Sequence, residues 1–388
     1  MTSNPIRHPH RARGFSLIEI MVGLVIGMLA VVIIMQIFAS SEASKRTTTG
    51  GDDAQINGTI ALYGLERDIR ASGYGLSTYN LLGCSLSYTP SGESAAVTLS
   101  AIAPTTINPA TSLVPAGDAS TDTLLVMYGN SNSPSEGDVM IAASTAGIYQ
   151  VSVPAPPAFN AGDYVIAQVA TRPSPCNLTR DKIASITGSS LAVSPGTAGM
   201  AINSIVYNLG PAPVVRAYAV RNGNLTVCDY MVYNCGSTSY TGTLNSAVWV
   251  PIASNIVSLR AQYGRDASTG ATMLGAVSTY DQITPGSAAD TSGLSVFCSW
   301  ARALAVRVAV VARSAQYDKA MPTAAAPLWD GSTVNATSPT NPTAVTIDLT
   351  GNTSWQYYRY KPLQTTIPLR NSIWQGSQPS YQGGAGGC

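Results

Sequence analysis

The sequence RGFSLIE, residues 13–19, leads directly into an unbroken apolar run, IMVGLVIGMLAVVIIMQIFA, residues 20–39. At a rise of about 1.5 Å per residue, a helix over this run can cross the roughly 30 Å hydrocarbon core of a bilayer. Glu19 places one carboxylate next to the start of the run. An ionisable side chain in hydrocarbon costs roughly 2.5–3.5 kcal/mol, so such a group usually has a partner and a function.

The leader before this run is basic, since residues 1–14 contain three arginines and no acidic residue. By the positive-inside rule, the leader stays in the cytoplasm and the bulk of the chain crosses the membrane. A plain secretory signal peptide is one alternative, but it has a shorter apolar region of about 7–15 residues. A simple membrane anchor is a second alternative. It explains the length of the run, but neither Glu19 nor the junction of Gly14 with Phe15.

RGFSLIE and its apolar run resemble the class III signal of type IV pilins and type II secretion pseudopilins. The resemblance implies that a prepilin peptidase cleaves between Gly14 and Phe15 and N-methylates Phe15. It also implies a role in assembly for Glu19, about one helical turn from the new amine. In a filament, Glu19 of one subunit can neutralise the Phe15 amine of a neighbour. Residues 1–14 are therefore predicted to be a cleaved leader, and residues 15–39 a transmembrane helix.

The composition excludes several classes of function. Only 11% of the 388 residues are charged, against about 25% in an average soluble domain. The formal net charge of +1 gives no electrostatic reason to expect direct binding to nucleic acid. With 45% hydrophobic residues, the chain is also unlike an intrinsically disordered one.

Catalysis is not expected either. The two histidines, His8 and His10, both precede Gly14, so the processed chain has none. This excludes Ser-His-Asp and Cys-His catalysis and histidine-ligated metals. No phosphate-binding loop, no EF-hand-like spacing and no spacing for carboxylate or lysine chemistry is present. We therefore predict a non-enzymatic protein with no catalytic residue, no cofactor and no metal.

The cysteines predict disulfide bonds, because an even number in an exported chain usually pairs. None of the six forms a C-x-x-C motif. Cys228 and Cys235 are close enough in sequence to bridge a local turn, and we predict that pair. The remaining four allow three pairings, between which the sequence does not choose: Cys84, Cys176, Cys298 and Cys388.

Residues 40–75 are predicted to continue the helix in amphipathic form. Leu62, Leu65 and Ile69 fall on one face. The charged residues fall largely on the other face, and among them Glu66 and Arg70 are spaced for an ion pair: Glu66, Arg67, Asp68 and Arg70. TTTGG, residues 47–51, is poor helix sequence and predicts a kink or a locally melted stretch. Gly73 and Gly75 are predicted to end the helix.

The rest of the chain consists of short β-type runs separated by Gly, Pro, Asn and Ser. The expected strands are Ala96–Ala101, Thr123–Tyr128, Val139–Ala142, Ile148–Val153, Tyr164–Val169, Ser204–Leu209, Val214–Arg221, Leu225–Asp229, Ile256–Tyr263, Ala303–Ala312 and Gln356–Pro368. Asn222-Gly223-Asn224 predicts a hairpin turn. Arg307 and Arg313 in an otherwise apolar strand predict one solvated or subunit-facing side.

Several segments of this body resemble PilW-like minor pilins. They are residues 67–74 (RDIRASGY), Ile256–Asp266, Ala301–Ser314 and residues 358–371. Residues 76–210 carry no motif that the resemblance covers. The chain is also long for a pseudopilin. This length favours a component of the pilus over a component of the secretion system.

The expected fold is α+β and pilin-like. A long N-terminal helix, with a transmembrane half and an amphipathic half, packs on an antiparallel sheet, and residues 76–388 form an extracytoplasmic domain with an additional β-rich insertion. By resemblance, the protein is a structural minor pilin of the type IV pilus. Before assembly it crosses the inner membrane once with its C-terminal domain in the periplasm, and afterwards it is on the cell surface.

Such a protein joins other minor pilins and the major pilin, helps to prime assembly, and sits at or near the tip, beneath an adhesin in many cases. It then supports twitching motility, adhesion or DNA uptake. Two alternatives stay open. One is a minor pseudopilin of type II secretion, and the other is a membrane-anchored periplasmic binding protein or enzyme.

Overall fold

The computed structural model describes residues 14–78, 80–152, 158–240, 246–268, 273–331 and 344–372. The chain divides into two units, Met1–Asp52 and Asp53–Cys388. The helices in the described residues are α1 (Leu17–Ala71) and α2 (Val296–Ala301), with short 3-10 helices at Thr238–Tyr240 and Trp355–Tyr357.

The strands in the described residues are β1 (Ser85–Tyr88), β2 (Val97–Leu99), β3 (Thr105–Ile107), β4 (Leu124–Tyr128), β5 (Asp138–Val139), β6 (Ile148–Gln150), β7 (Tyr164–Gln168), β8 (Asn177–Thr187), β9 (Ser190–Ser194), β10 (Ile205–Gly210), β11 (Val214–Arg221), β12 (Asn224–Asp229), β13 (Val250–Ser254), β14 (Ile256–Arg265), β15 (Thr279–Asp281), β16 (Ala303–Arg313), β17 (Leu328–Trp329), β18 (Val345–Thr346) and β19 (Tyr360–Pro368).

The first unit contains the apolar part of α1. The large apolar side chains from Leu17 to Phe38 are exposed. Of the helices in the described residues, α1 alone is long and apolar enough to span a membrane, judged by length and composition. It covers most of residues 15–39, the predicted transmembrane segment.

The melted stretch predicted at residues 47–51 is wrong, because α1 is helical throughout these residues. The Thr47 hydroxyl donates to the Ala43 carbonyl at 2.9 Å, and the Thr48 hydroxyl donates to the Ser44 carbonyl at 3.1 Å. The hydroxyls are thus satisfied within the helix. Once a helix is nucleated, each further residue adds one hydrogen bond, so a short stretch of low propensity can continue between stronger segments.

In the second unit, the last part of α1 packs one face against β-structure, as predicted, but against two sheets rather than one. Its buried apolar residues recur at helical spacing and are Ala54, Ala61, Leu65 and Ile69. The helix ends at Ala71, and the glycines that follow adopt left-handed backbone conformations, with φ of 80° at Gly73 and 72° at Gly75. Both are therefore in the conformation that glycine favours at a helix C-terminus.

A five-stranded antiparallel sheet, of order β13-β12-β11-β4-β3, lies between two cores. Alternate side chains of a strand point to opposite faces. On β4, Leu124 and Val126 join the core that includes α1, whereas Leu125 and Met127 join the core shared with the eight-stranded sheet. Strands β11 and β12 form the predicted hairpin, and its turn at residues 222–223 has positive φ at both positions, as in a type I′ turn.

A four-stranded antiparallel sheet has the order β15-β14-β16-β19. Its central strand β16 is buried on both faces, so the prediction of a solvated or subunit-facing side is wrong. One face meets the core with α1, and on the other Val311 packs in a cluster with Trp329. The Arg307 side chain stacks on the Tyr280 ring at 3.5 Å from its centroid, with Arg307 only 7% exposed. The small β17–β18 pair carries Trp329 onto this face.

An eight-stranded sheet, with the path β2-β1-β8-β7-β10-β5 and with β6 and β9 off this path, forms the β-rich insertion. It is mixed rather than antiparallel, because β1 runs parallel to β8. A separate core on this sheet includes Tyr149, Phe159, Ile183 and Leu191. Strands β8 and β9 were not predicted, because charged and small residues obscure their alternation of buried and exposed positions.

Candidate processing and assembly site

The N-terminal motif forms a capped helix start. Helix α1 begins at Leu17, so Ser16 is its N-cap residue. The Ser16 N–H donates to Oε2 of Glu19 at 2.9 Å, and the Ile18 N–H donates to Oγ of Ser16 at 3.4 Å. This reciprocal arrangement is a capping box, which satisfies backbone donors that a helix start leaves unpaired. It was not predicted, although the S-x-x-E spacing of residues 16–19 is its signature.

The predicted cleavage junction lies just before this cap. Apart from the chain neighbours of Gly14, no heavy atom of the described residues lies within 4 Å of a Cβ built on it, and Phe15 is 84% exposed. The structure therefore places Gly14, Phe15 and Glu19 together at the start of α1. The Glu19 carboxylate, in the first turn, also complements the positive end of the helix dipole.

A second feature is an exposed apolar stripe on the part of α1 in the second unit. Ile56, Ile60 and Tyr63 are 58%, 51% and 67% exposed. Their spacing of four and three residues puts them on one face of the helix. This face is opposite to the one that packs on the sheets, which includes Leu65. The stripe thus offers an apolar surface that nothing covers within the described residues of the second unit.

A buried charged cluster fixes α1 on the five-stranded sheet. Asp68 is fully buried, so its predicted place on the solvated face of the helix is wrong. Its carboxylate accepts from Nη1 of Arg216 at 2.7 Å and from the Tyr218 hydroxyl, both on β11. It also accepts from Nε of Arg67 at 3.0 Å and from the Tyr128 hydroxyl at 3.3 Å. A buried charge of this kind is tolerated because partners satisfy it.

The protonation of this cluster follows from its surroundings. Burial alone would raise the pKa of the Asp68 carboxyl, but hydrogen bonds from Tyr218 and Arg216 outweigh burial and hold that pKa below its usual value. Burial and the nearby Asp68 carboxylate both raise the pKa of Tyr218. Asp68 therefore stays ionised and Tyr218 stays a hydrogen-bond donor at neutral pH.

The surface of the same helix segment carries the ion pair expected from spacing, between Arg70 and Glu66. Two disulfide bonds between described residues cross-link the β-rich part of the chain. Cys84 is joined to Cys176, and Cys228 is joined to Cys235, the pair expected from its close spacing. Cys298 is also disulfide-bonded, and Cys388 lies outside the described residues.

Among the described residues, no group of three or more His, Cys, Asp or Glu side chains is arranged to hold a metal ion. The histidines at positions 8 and 10 lie outside these residues.

Two family models match this chain. Residues 218–371 match the model described as Type IV Pilus-assembly protein W, and residues 9–35 match the prokaryotic N-terminal methylation motif. No curated protein and no solved structure gives a significant match. The two family matches support a PilW-like type IV pilin.

The matches have a clear relation to the fold. The first extends from β11 to just past β19 and so includes most of the sheet structure against which α1 packs. The second includes the Gly14–Phe15 junction and Glu19. Matches to these two models point to a structural protein that is related to the type IV pilus and anchored in the membrane. Residues 76–210, for which no motif was recognised, lie outside both matches.

Proposed function

We propose that this chain is a minor pilin that helps to prime assembly of the type IV pilus and sits at or near its tip. A prepilin peptidase cleaves between Gly14 and Phe15 and methylates the new amine. Before assembly, the protein crosses the inner membrane once, with its C-terminal domain in the periplasm. It then joins other minor pilins and the major pilin, next to a tip adhesin, and reaches the cell surface. Twitching motility, adhesion or DNA uptake depends on it.

The observation that carries this proposal is the construction of α1. One helix combines an exposed apolar first part with a later part that buries Leu65 and Ile69 in the sheets. The same later part leaves Ile56, Ile60 and Tyr63 uncovered. A helix with a free apolar face suits packing against the helices of neighbouring subunits, because burying that face removes apolar area from water.

The capping box is compatible with an assembly role for Glu19. A carboxylate has about four lone-pair positions. Glu19 can therefore accept the Ser16 N–H within its own chain and still accept a hydrogen bond from the Phe15 amine of a neighbouring subunit. Because such a pair needs a neighbour, the presence of Glu19 argues against the outermost position at the tip.

A deletion strain scored for surface pili and for secreted proteins tests the proposal. We expect pili to be lost while secretion stays normal, and wild-type protein supplied in trans to restore the pili. Glu19→Ala should fold and be processed but fail to restore them. Loss of secretion with normal pili would instead assign the chain to the type II secretion pseudopilins. Normal pili and normal secretion would favour an anchored periplasmic protein.

The exposed stripe is tested separately by Ile60→Glu, with Gln55→Glu as a matched control on the same exposed helix. Both changes place a carboxylate on the surface, but only the first places it in the stripe. We expect Ile60→Glu to prevent incorporation into filaments and the control to be incorporated normally. Equal incorporation of the two variants would show that the stripe is not part of the assembly surface.

A further inference from the structure

A cleft on the eight-stranded sheet brings two cations together. It has a volume of about 450 Å³ and is lined by residues of β1, β7, β8 and β9 and of the segments that follow β1 and β9. Arg180 and Lys182, two residues apart on β8, contribute the cations, and Tyr88 and Tyr164 contribute aromatic rings. Hydroxyl groups complete the lining and come from Ser87, Thr89, Ser91, Thr179 and Ser194.

Arg180 is held in a fixed position. Its guanidinium carbon lies 3.9 Å from the ring centroid of Tyr88 and 4.5 Å from that of Tyr164. Nη2 donates to the Thr89 carbonyl at 3.2 Å, and Nη1 contacts Sδ of Met231 at 2.9 Å. Because these partners are in place without any ligand, the guanidinium is preorganised and loses little conformational freedom on binding.

The two cations of the cleft are not paired with a carboxylate of the described residues. Within the parts of the chain that the structure describes, neither Arg180 nor Lys182 forms an ion pair. Asp181 also lines the cleft. However, its carboxylate accepts from the Tyr149 hydroxyl at 2.5 Å and from the Gly196 N–H at 3.0 Å. Burial lowers the pKa of Arg180, and Tyr88 and Tyr164 act to raise it.

A second cleft in the same unit has a comparable arrangement. Arg313 also stacks on a tyrosine, at 4.4 Å from the ring centroid of Tyr358. Its cleft, of about 380 Å³, is lined by the carboxylates of Asp118 and Asp348 as well. There too the protein's own donors engage the carboxylates, since Asp118 accepts from the N–H groups of Asn222 and Gly223 and Asp348 accepts from the Thr350 N–H. In both clefts, the carboxylates that line the wall are thus taken up by hydrogen bonds rather than by the stacked arginine.

We propose that the Arg180–Lys182 cleft binds an oxyanion group, carboxylate or phosphate, carried by an acidic glycan. Arginine and lysine side by side match an oxyanion in charge and hydrogen-bond geometry. Hydroxyl groups around them, such as those of Ser91 and Ser194, match the hydroxyls of a sugar, because both donate and accept hydrogen bonds. The volume lies in the range of about 300–1,000 Å³ that small-ligand sites occupy. β8 lies outside the matched family regions, and the binding proposed for it is a function in addition to filament assembly.

Calorimetric titration of the purified full chain in detergent tests the proposal, with acidic and neutral sugars as paired probes. 3′-Sialyllactose against lactose tests a carboxylate, and glucose 6-phosphate against glucose tests a phosphate. We expect saturable binding of at least one acidic sugar and none of its neutral counterpart. Arg180→Gln and Lys182→Gln should each weaken it by about tenfold or more, as loss of a hydrogen bond to a charged group implies.

Lys361→Gln is the matched control, since it removes an exposed lysine from β19 and should leave binding unchanged. If Arg180→Gln does not fold, the Lys182→Gln variant decides the test, because Lys182 is exposed and its replacement leaves the core unchanged. The proposal is overturned if neither acidic sugar binds, or if Lys182→Gln binds as well as the control. It is also overturned if inorganic phosphate binds as tightly as glucose 6-phosphate, or if hexaglutamate binds while the sugars do not.

Discussion

Replacing Asp68 should uncouple the helix from its sheet. In Asp68→Ala, the side chains of Arg216 and Tyr218 lose their common acceptor. Removing one partner of a buried charged pair costs about 3–5 kcal/mol, and hydrogen bonds to a charged group contribute about 1.5–3 kcal/mol each. The contact with Arg67 adds little to the free energy of unfolding, because the Arg67 side chain is 61% exposed. We therefore expect a loss of about 3–5 kcal/mol in the free energy of unfolding for Asp68→Ala.

Asp68→Asn should cost less, about 2–3 kcal/mol, because an amide oxygen keeps one acceptor but loses the charge. The assay is equilibrium unfolding of the full chain in detergent. Glu66→Gln is the control. It breaks the exposed pair with Arg70 and should cost less than about 0.5 kcal/mol. A loss below about 1 kcal/mol for Asp68→Asn would refute the reasoning.

The same cluster predicts a pH dependence. The folded-state pKa of Asp68 is lowered from 3.8, so its ionised form contributes stability that is fully present above the unfolded pKa. That contribution disappears as the pH falls through the folded-state pKa. The difference in stability between wild type and Asp68→Asn should therefore be largest near neutral pH and shrink below about pH 4. A difference that stays constant down to strongly acidic pH would contradict the assignment.

The remaining predictions concern packing and cross-links. Gly58→Leu should destabilise the chain by about 1–3 kcal/mol, because even a Cβ there comes within 2.4 Å of Cδ1 of Leu363. Gly64→Ala, whose Cβ meets its nearest neighbour at 4.0 Å, should instead stabilise α1 by up to about 1 kcal/mol. Thermal unfolding measures the change in melting temperature of both variants. Equal changes would contradict the close packing at Gly58 and the open space at Gly64. The bond Cys84–Cys176 closes a loop with a sequence separation of 92, and replacing both of its cysteines should lower the free energy of unfolding by about 4.5 kcal/mol. The bond Cys228–Cys235 closes a loop with a separation of 7, and replacing its cysteines should lower that free energy by about 2.5 kcal/mol. Denaturant unfolding measures the two losses. A larger loss for Cys228–Cys235 would show that loop entropy does not dominate the contribution of these bonds to stability.

The framework of the fold was predictable because its signals are local. The length of the apolar run predicts α1, and the Asn222-Gly223 turn predicts the β11–β12 hairpin with little dependence on the rest of the chain. The long strands β14 and β16 are apolar enough to stand out. The glycines after α1 were placed correctly for the same reason, since a left-handed backbone there requires them.

The errors arose where distant residues decide the outcome. Asp68 was grouped by helical spacing with the charged residues on the polar face of α1, yet Arg216 and Tyr218, far along the chain, make its burial possible. Arg307 was assigned to a solvated side, yet Tyr280 covers it. The cleft around Arg180 was not predicted either, because β1 and β7 bring its tyrosines to β8 only in the folded sheet.

The central claim is that this chain is processed at the Gly14–Phe15 junction and then incorporated into a filament. Mass spectrometry of the N-terminal peptide, on pili sheared from the cell surface, tests both parts at once. We predict a peptide that begins at Phe15 and carries a methyl group on its amine. A chain that is absent from sheared pili and keeps residues 1–14 in the membrane fraction would contradict the account.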